Sequence, residues 1–554
     1  MRTHVISTLA PVIAVIAAVG GVGNAAFGQM VVTGTSPSVN ALHVAREAPI
    51  AVTFDRPVDR ATFAGDNFWV FSRWGGMVDG SISFSNDDRT VTFTPAAPLH
   101  AGDPVMVVMS RDLRGADGTP MRSAGHTLTF TTRAKPTTAT FDPLAIISDR
   151  SPNNAQTRIY GGLACDLDRD GWLDITLVNE VSQDLRVFLN RADGSGLFQP
   201  FLTPPTPIPY ESSPNEPADF NRDGFVDIIT TSNATNELTI AMGNGDGTFD
   251  PPTIIAMPGY PRGNAILDFD ADGDLDIAVA NTSVNTISLL ANNGSGAFAP
   301  PVNIPSGGDG PYGLVTADMN NDGVMDLVVG HVYSRTAVVL RGNGNGTFTF
   351  ASSRSIGGAT WVVATGDLNA DSFMDIVTAN SGSANASVLL GNGNGTLQAA
   401  VIKGVSGHTV GTELADYDGD GDLDWLVACF GGGRWHRYVN NGAGVMTEVQ
   451  QFIAPNNPAC SISADFDNDG DLDLALLDEI ADVMLLYTNR GNEVCDPDVN
   501  ADGNVDQDDI ACLAQVVAGD PACSSADPDF NRDGNVDQDD VAALEQVVAG
   551  SECP

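Results

Sequence analysis

The stretch DFDADGDLDIAVAN (268–281) places acids on alternate residues, a glycine in the sixth position, and then a short apolar run. Carboxylates on alternate residues of a tight loop converge on one point and repel each other unless a hard cation lies between them. The glycine supplies the positive φ that the bend needs. The apolar run has the length of a buried strand. The pattern begins at Asp166, Asp219, Asp268, Asp318, Asp367, Asp416 and Asp465, at intervals of about 50 residues, the period of one unit in a radial repeat.

The fourth copy gives the anatomy of a unit: "YGLVTAD" (312–318), the acidic loop, "LVVGH" (327–331), "TAVVLRG" (336–342), a Gly-Asn turn, and "TFASSRSI" (349–356). Four antiparallel strands in each of seven units predict a mainly β chain whose principal domain, 136–492, is a seven-bladed β-propeller. The turns "GNGDGTF" (243–249), "NNGSGAF" (292–298), "GNGNGTF" (342–348) and "GNGNGTL" (391–397) recur where positive φ is needed. The seventh unit stops after "VMLLYTNRG" (483–491) and lacks an outer strand. "TATFDPLAII" (138–147) resembles the outer-strand entry "DGTFDPPTII" (246–255), so it is expected to complete the last sheet and leave no unpaired edge.

Calcium prefers six to eight oxygens in relaxed geometry, whereas magnesium keeps waters and demands an octahedron. The expected calcium ligands are Asp166, Asp168, Asp170 and Asp174 in the first loop, and Asp219, Asn221, Asp223 and Asp227 in the second. The third has Asp268, Asp270, Asp272 and Asp276; the fourth has Asp318, Asn320, Asp322 and Asp326. The fifth has Asp367, Asn369, Asp371 and Asp375; the sixth has Asp416, Asp418, Asp420 and Asp424. The seventh has Asp465, Asp467, Asp469 and Asp473, with the Asp471 carbonyl and a bend at Gly470. In the fifth loop Ser372 replaces the glycine, and this site is expected to be the weakest. The region resembles the FG-GAP or VCBS propeller family of integrin heads and secreted bacterial proteins. That resemblance implies calcium binding, and recognition or adhesion more often than catalysis.

Before the repeats, residues 30–133 alternate apolar and polar in "APIAVTFDRPV" (48–58), "GSISFSNDDRTVTFTPAAPL" (80–99), "DPVMVVMS" (103–110) and "HTLTFTT" (126–132). This predicts an antiparallel sandwich with a hairpin turn at Asn86-Asp87-Asp88. "SNDDRTVTFTPAAPLHAGDPV" (85–105) and "ADGTPM" (116–121) are similar to the bacterial Ig-like domain of surface-layer and adhesin proteins, and the segment is expected to serve as a spacer. Ala134-Lys135-Pro136 is the expected linker.

After the repeats, "DPDVNADGNVDQDDIACLAQVVAG" (496–519) recurs 31 residues later as "DPDFNRDGNVDQDDVAALEQVVAG". Each copy is an acidic loop followed by one helix with apolar residues at helical spacing. Residues 495–554 resemble a type I dockerin, a pair of half-EF-hands that docks onto a cohesin. The resemblance implies calcium ligands Asp498, Asn500, Asp502, Asp506 and Asp509, then Asp529, Asn531, Asp533, Asp537 and Asp540, for up to nine sites in the chain. It places partner contacts at Gln507, Asp508, Gln538 and Asp539; cohesin-binding dockerins often carry small or hydroxyl residues there, a departure that counts against a standard cohesin, and the expected partner is a cohesin-like or other protein module. Cys495–Cys553 and Cys512–Cys523 are favoured among three possible pairings in this tail.

The apolar stretch from Val5 to about Val22, after Arg2 and before Ala26-Phe27-Gly28, reads as a secretory signal over residues 1–28 rather than a membrane anchor. No later segment is long and apolar enough to span a bilayer. The location expected is secreted or cell-surface. The net charge of -44 excludes nucleic acid as a partner, because no basic stripe exists to displace counterions. Tyr160, Tyr210, Tyr260, Tyr312, Trp361 and His408 each precede an acidic loop by six to nine residues, which puts them on the face away from the loops. They are candidate platforms for a glycan or protein ligand, or else residues that line the entry to each unit. No His-Glu-x-x-His or Gly-x-Ser-x-Gly motif occurs, and nearly all paired carboxylates are taken by the loops. The expectation is a calcium-binding adhesion, recognition or scaffold protein and not an enzyme; the alternative is a dockerin-borne polysaccharide-degrading glycosidase or lyase.

Overall fold

The computed structural model describes residues 28–63, 67–151, 154–489, 507–517 and 538–548. Residues 1–27 of the expected export signal lie outside them, as do Asp498, Asn500, Asp502, Asp506, Asp529, Asn531, Asp533 and Asp537, and Cys495, Cys523 and Cys553 of the favoured pairings.

Residues 28–132 form two packed sheets. One has the order Val32–Ser36, Ile50–Phe54, Thr90–Pro95, Gly80–Ser85; the other has Ala41–Val44, His126–Thr132, Pro104–Met109, Phe68–Ser72, Gly76–Met77. Alternate residues such as Ile50, Val52 and Phe54 turn inward onto Val91, Val107 and Leu128, the pattern of a sandwich core. The hairpin turn falls at Asn86, Asp87 and Asp88, all at positive φ, as their short polar side chains permit.

Seven four-stranded antiparallel sheets follow; six are meanders with their strands in chain order, and the last adds the early strand Phe141–Ser148 to a three-stranded meander of Pro458–Ala464, Asp473–Asp478 and Val483–Asn489. Their inner strands are Ile159–Cys165, Ser212–Ala218, Pro261–Leu267, Pro311–Ala317, Ala359–Gly366, Thr409–Ala415 and Pro458–Ala464. The second strand of every sheet is buried along its whole length because neighbouring sheets cover both its faces, which is why it reads as an unbroken apolar run. A separate apolar cluster lies between each pair of consecutive sheets. A seventh cluster joins Ile175 and Leu177 of the first sheet to Ala475 and Leu477 of the last. The strand Phe141–Ser148 pairs antiparallel with Val483–Asn489 and completes the last sheet, as its likeness to an outer-strand entry predicts.

In the tail, helices Gln507–Val517 and Gln538–Val548 pack through Ile510, Leu513, Val541 and Leu544. Gln507, Asp508, Asp509, Gln538, Asp539 and Asp540 all lie in their first turns. Cys512 is disulfide-bonded, whereas Cys165, Cys429 and Cys460 of the sheets are free. Among the described residues, no helix is long and apolar enough to cross a membrane.

The sandwich, expected as a spacer, is packed against the sheets that follow it. It lies on the ends of the sheets that carry the acidic loops, and Trp69, Phe71 and Val108 join the apolar cluster between the second and third sheets. Trp69 Nε1 donates to the Gly273 carbonyl at 2.9 Å. Arg111 Nη1 donates to the Asp270 carbonyl and Arg122 Nη1 to that of Asp322, each at 2.6 Å. The linker runs along the same surface: Lys135 N–H donates to Gly470 O and Thr137 N–H to Asp418 O, both at 2.8 Å. A sequence pattern reports which residues turn inward within one sandwich, but not which outer face meets a second domain. Trp69→Ala, which removes a large buried ring and one interdomain hydrogen bond, is expected to lower stability by about 3 kcal/mol, measured by urea unfolding.

Candidate metal loops and the open mouth of the central cavity

The seven loops share one hydrogen-bonding scheme. The first Asp accepts the N–H of the sixth residue: Gly171 on Asp166 at 3.1 Å, Gly273 on Asp268 at 2.9 Å, and Gly470 on Asp465 at 3.0 Å. The fifth-position carboxylate accepts the N–H of the seventh residue, as Asp170 does from Trp172 and Asp469 from Asp471. The ninth residue has a structural task that spacing alone does not show. Asp174 accepts Leu167 N–H at 3.0 Å and Asn190 N–H at 2.8 Å, tying its loop to the end of the third strand. Asp227, Asp276, Asp326, Asp375 and Asp473 repeat this clamp. Asp424 keeps the contact to Asn440 N–H.

Three pairs of adjacent loops are linked by the side chain of the fourth residue, a position that takes positive φ in all seven loops. Arg222 bonds the Gly273 carbonyl, Asn321 that of Ser372, and Asn468 that of Gly171, the last a link from the seventh loop to the first. The sixth position also has positive φ throughout, including +65° at Ser372.

The donor set fits a divalent cation. Carboxylate oxygens of Asp166, Asp168 and Asp174 lie within 4.8 Å of one another, as do those of Asp268, Asp270 and Asp276. The same holds for Asp416, Asp418 and Asp420, and for Asp465, Asp467 and Asp469. Asp219 Oδ1, Asp416 Oδ1 and Asp465 Oδ1 at the first position are buried with no hydrogen-bond donor, and so are Asn320 Oδ1 and Asn369 Oδ1 at the third. These are the atoms assigned to the metal from sequence. A buried acceptor without a donor is costly, and a cation removes that cost. Asn221, Asn320 and Asn369 instead turn an amide N–H toward the neighbouring fifth-position Asp223, Asp322 and Asp371.

Burial, and then the neighbouring loop carboxylates, push Asp268 up to about 8; Asp465 rises to about 7 for the same reasons. Burial likewise raises Asp326 and Asp174 to about 8, against the backbone N–H groups they accept. Asp276 reaches about 9.

The other ends of the inner strands surround a central cavity of about 280 Å³, to which all seven inner strands contribute. Arg73 and Trp74 of the sandwich also line it, and a second space of about 460 Å³ lies between the sandwich and the inner strands. Of the six candidate ligand residues, Tyr160, Tyr312 and Trp361 line the 280 Å³ cavity. Tyr312 stacks on Trp361 with centroids 5.3 Å apart, and His408 meets Trp361 edge-on at 4.9 Å. Tyr210 and Tyr260 are each 41% exposed and do not line the cavity, although the Tyr260 ring faces Arg262. Tyr312, Trp361 and His408 therefore form one packed run, and Tyr210 stands apart from it.

Sequence reasoning missed the charged members of this mouth. Arg262 lies over the Tyr160, Tyr260 and Tyr312 rings at 5.5, 5.6 and 5.3 Å. Arg158 pairs with Glu479 and, at 3.6 Å, with Glu180. The position of Arg262 at the entry of an inner strand, two residues after Tyr260, was the available signal. Asn281 and Asn380, five residues after their loops, hydrogen-bond to Ser288 and Ser387 in the adjacent strand, which favours a structural role for them.

The histidines are held by serines: His331 Nε2 lies 3.2 Å from Ser306 Oγ and His408 Nε2 2.9 Å from Ser381 Oγ. His436 lies between Ser406 Oγ at 2.8 Å and Glu448 Oε1 at 3.0 Å. None of those three residues lines either cavity.

A family model for the FG-GAP-like repeat matches residues 166–230, 219–279, 268–329, 332–378, 367–427 and 416–476, more than half of the chain. The chain therefore belongs to the FG-GAP-like repeat proteins. A bacterial Ig-like domain matches residues 28–132. No curated protein matches the sequence. Among solved structures, the chain is similar to an Agrocybe aegerita lectin described as recognising non-reducing terminal N-acetylglucosamine, with 21% identity, 65% of this chain and 92% of that one covered, and a TM-score of 0.42. It is also similar to BBS1N in complex with ARL6DN, with 12% identity, 65% and 98% covered, and a TM-score of 0.45. A functionally unknown protein from Desulfotomaculum acetoxidans matches with 12% identity, 64% and 96% covered, and a TM-score of 0.36.

Two outcomes follow from the loop geometry. Ser372→Gly keeps the backbone hydrogen bonds of that residue and relieves its positive φ, so it is expected to stabilise the protein by about 0.5 kcal/mol or more in urea unfolding. The raised loop carboxylates hold protons that the unfolded chain releases near pH 4. Metal-stripped protein is therefore expected to lose stability as pH rises from about 4 through 8, and saturating calcium to abolish that loss, measured by calorimetry across this range.

Proposed function

We propose that the protein is a secreted, calcium-stabilised recognition protein that binds a glycan or protein ligand without turning it over. In this reading the seven sheets are the blades of a closed β-propeller. Support for closure comes from the strand Phe141–Ser148 in the last sheet and from the apolar cluster and loop link between the last and first sheets. The acidic loops bind calcium as clips at one end, where the Ig-like domain covers them, and the open mouth at the other end takes the ligand.

The observation that carries the proposal is the set of buried loop oxygens without donors, at the positions where calcium ligands are expected. The paired acidic repeats of the tail support a dockerin-like role, with Gln507, Asp508, Gln538 and Asp539 facing a cohesin-like or other protein module. Export fits a calcium requirement, because weak sites fill at extracellular calcium levels.

Chelation is expected to lower the melting temperature by roughly 10 °C or more, with recovery in calcium and not in magnesium. An unchanged melting temperature refutes the metal assignment. Glycan and protein arrays are expected to show binding, and polysaccharide incubations to show no release of reducing ends.

A further inference from the structure

Arg262 is an anomaly in the central cavity. It is only 8% exposed, yet its Nε and Nη1 hydrogen-bond to nothing in a mouth where the other charges have partners. Glu216 is held by Arg73 at 2.7 Å, and Glu479 and Glu180 by Arg158. Glu413 accepts from Ser461 Oγ at 2.6 Å and from Ser463 N–H at 2.9 Å. No carboxylate lies within salt-bridge distance of Arg262 among the described residues; aromatic rings surround it instead. The negative faces of tyrosine rings stabilise a buried cation in part, but they leave its Nε and Nη1 N–H groups unbonded.

Two residues along the same inner strand, Asn264 lines this cavity with a complementary defect. Its Nδ2 donates to Pro214 O at 3.3 Å, while its buried Oδ1 accepts from nothing. One wall of the cavity thus carries orphaned donors on a cation and, nearby, an orphaned acceptor. The complementary ligand carries an anionic acceptor and a hydroxyl donor on one small frame. At about 280 Å³ the cavity is of the size that holds one sugar ring.

We propose that this mouth binds a uronic-acid residue of an acidic glycan, with its carboxylate on Arg262 and a ring hydroxyl on Asn264 Oδ1. The inference rests on the reading of the open mouth as the ligand site and names the ligand class. Glu180 and Glu479 stand near Arg262, but Arg158 neutralises part of their charge and they offer further acceptors to sugar hydroxyls. The Tyr160 and Tyr312 rings hold the guanidinium in place before the ligand arrives, which lowers the ordering cost of binding.

The test is isothermal titration of the full chain in calcium with sodium glucuronate, glucose, acetate, inorganic phosphate and an acidic peptide. Glucuronate is expected to bind at least tenfold more tightly than glucose or acetate. Arg262→Gln is expected to weaken glucuronate at least tenfold while leaving calcium-dependent stability in place, and Arg262→Lys to restore part of the affinity. If Arg262→Gln does not fold, Asn264→Ala carries the test, with an expected loss of about threefold or more for glucuronate and none for acetate.

Equal binding of glucose and glucuronate overturns the proposal, as does undiminished glucuronate binding by Arg262→Gln. Phosphate or the acidic peptide binding as tightly as glucuronate also overturns it, in favour of a generic anion or peptide site. Binding of neutral glycans on an array without glucuronate binding sinks this inference and leaves the recognition reading standing. Glucuronate binding in a protein indifferent to chelators supports the inference and removes the calcium reading.

Discussion

Crowding of carboxylates within each nine-residue loop is the constraint on which the rest of the structure depends. The first Asp and the fifth-position residue turn oxygens onto backbone N–H groups of their own loop, and the ninth clamps the loop to the end of the third strand. These bonds hold like charges close together, and burial makes their ionisation harder still. A dication placed among these oxygens would resolve the conflict locally. Because the ninth Asp is shared between loop and strand, order in a loop is also order at the edge of its sheet.

The consequence extends sideways. The fourth residue sits at positive φ in every loop, and in three loops its side chain reaches a carbonyl of the next, which joins the second loop to the third, the fourth to the fifth and the seventh to the first. The Ig-like domain then rests on their carbonyls through Trp69, Arg111 and Arg122. Donors from a second domain satisfy backbone acceptors that the tight loops leave pointing outward, a requirement of any buried turn.

The two ends of the central space are therefore unequal. One is covered by the sandwich, with Arg73 and Trp74 projecting into the cavity. The other is rimmed by Tyr160, Arg262, Tyr312, Trp361 and His408 in a continuous run of ring and cation contacts. Within that run Arg262, Tyr312 and Trp361 each lie between two neighbours, which restricts their rotamers.

Repetition made much of this legible. Seven copies of the loop carried the sheet count, the strand order and the loop oxygens, because local spacing alone dictates which atoms converge in a tight turn. The missing outer strand was legible too, since 138–147 resembles the strand it replaces. Three features needed the tertiary structure: the seat of the sandwich on the loops, the clamp made by each ninth Asp, and the gathering of Arg262, Asn264, Arg158, Glu180 and Glu479 around one mouth. These residues lie on different sheets or occur once in an otherwise repeated frame. Periodicity cannot reveal a position that breaks it, and long-range packing alone brings such singletons together.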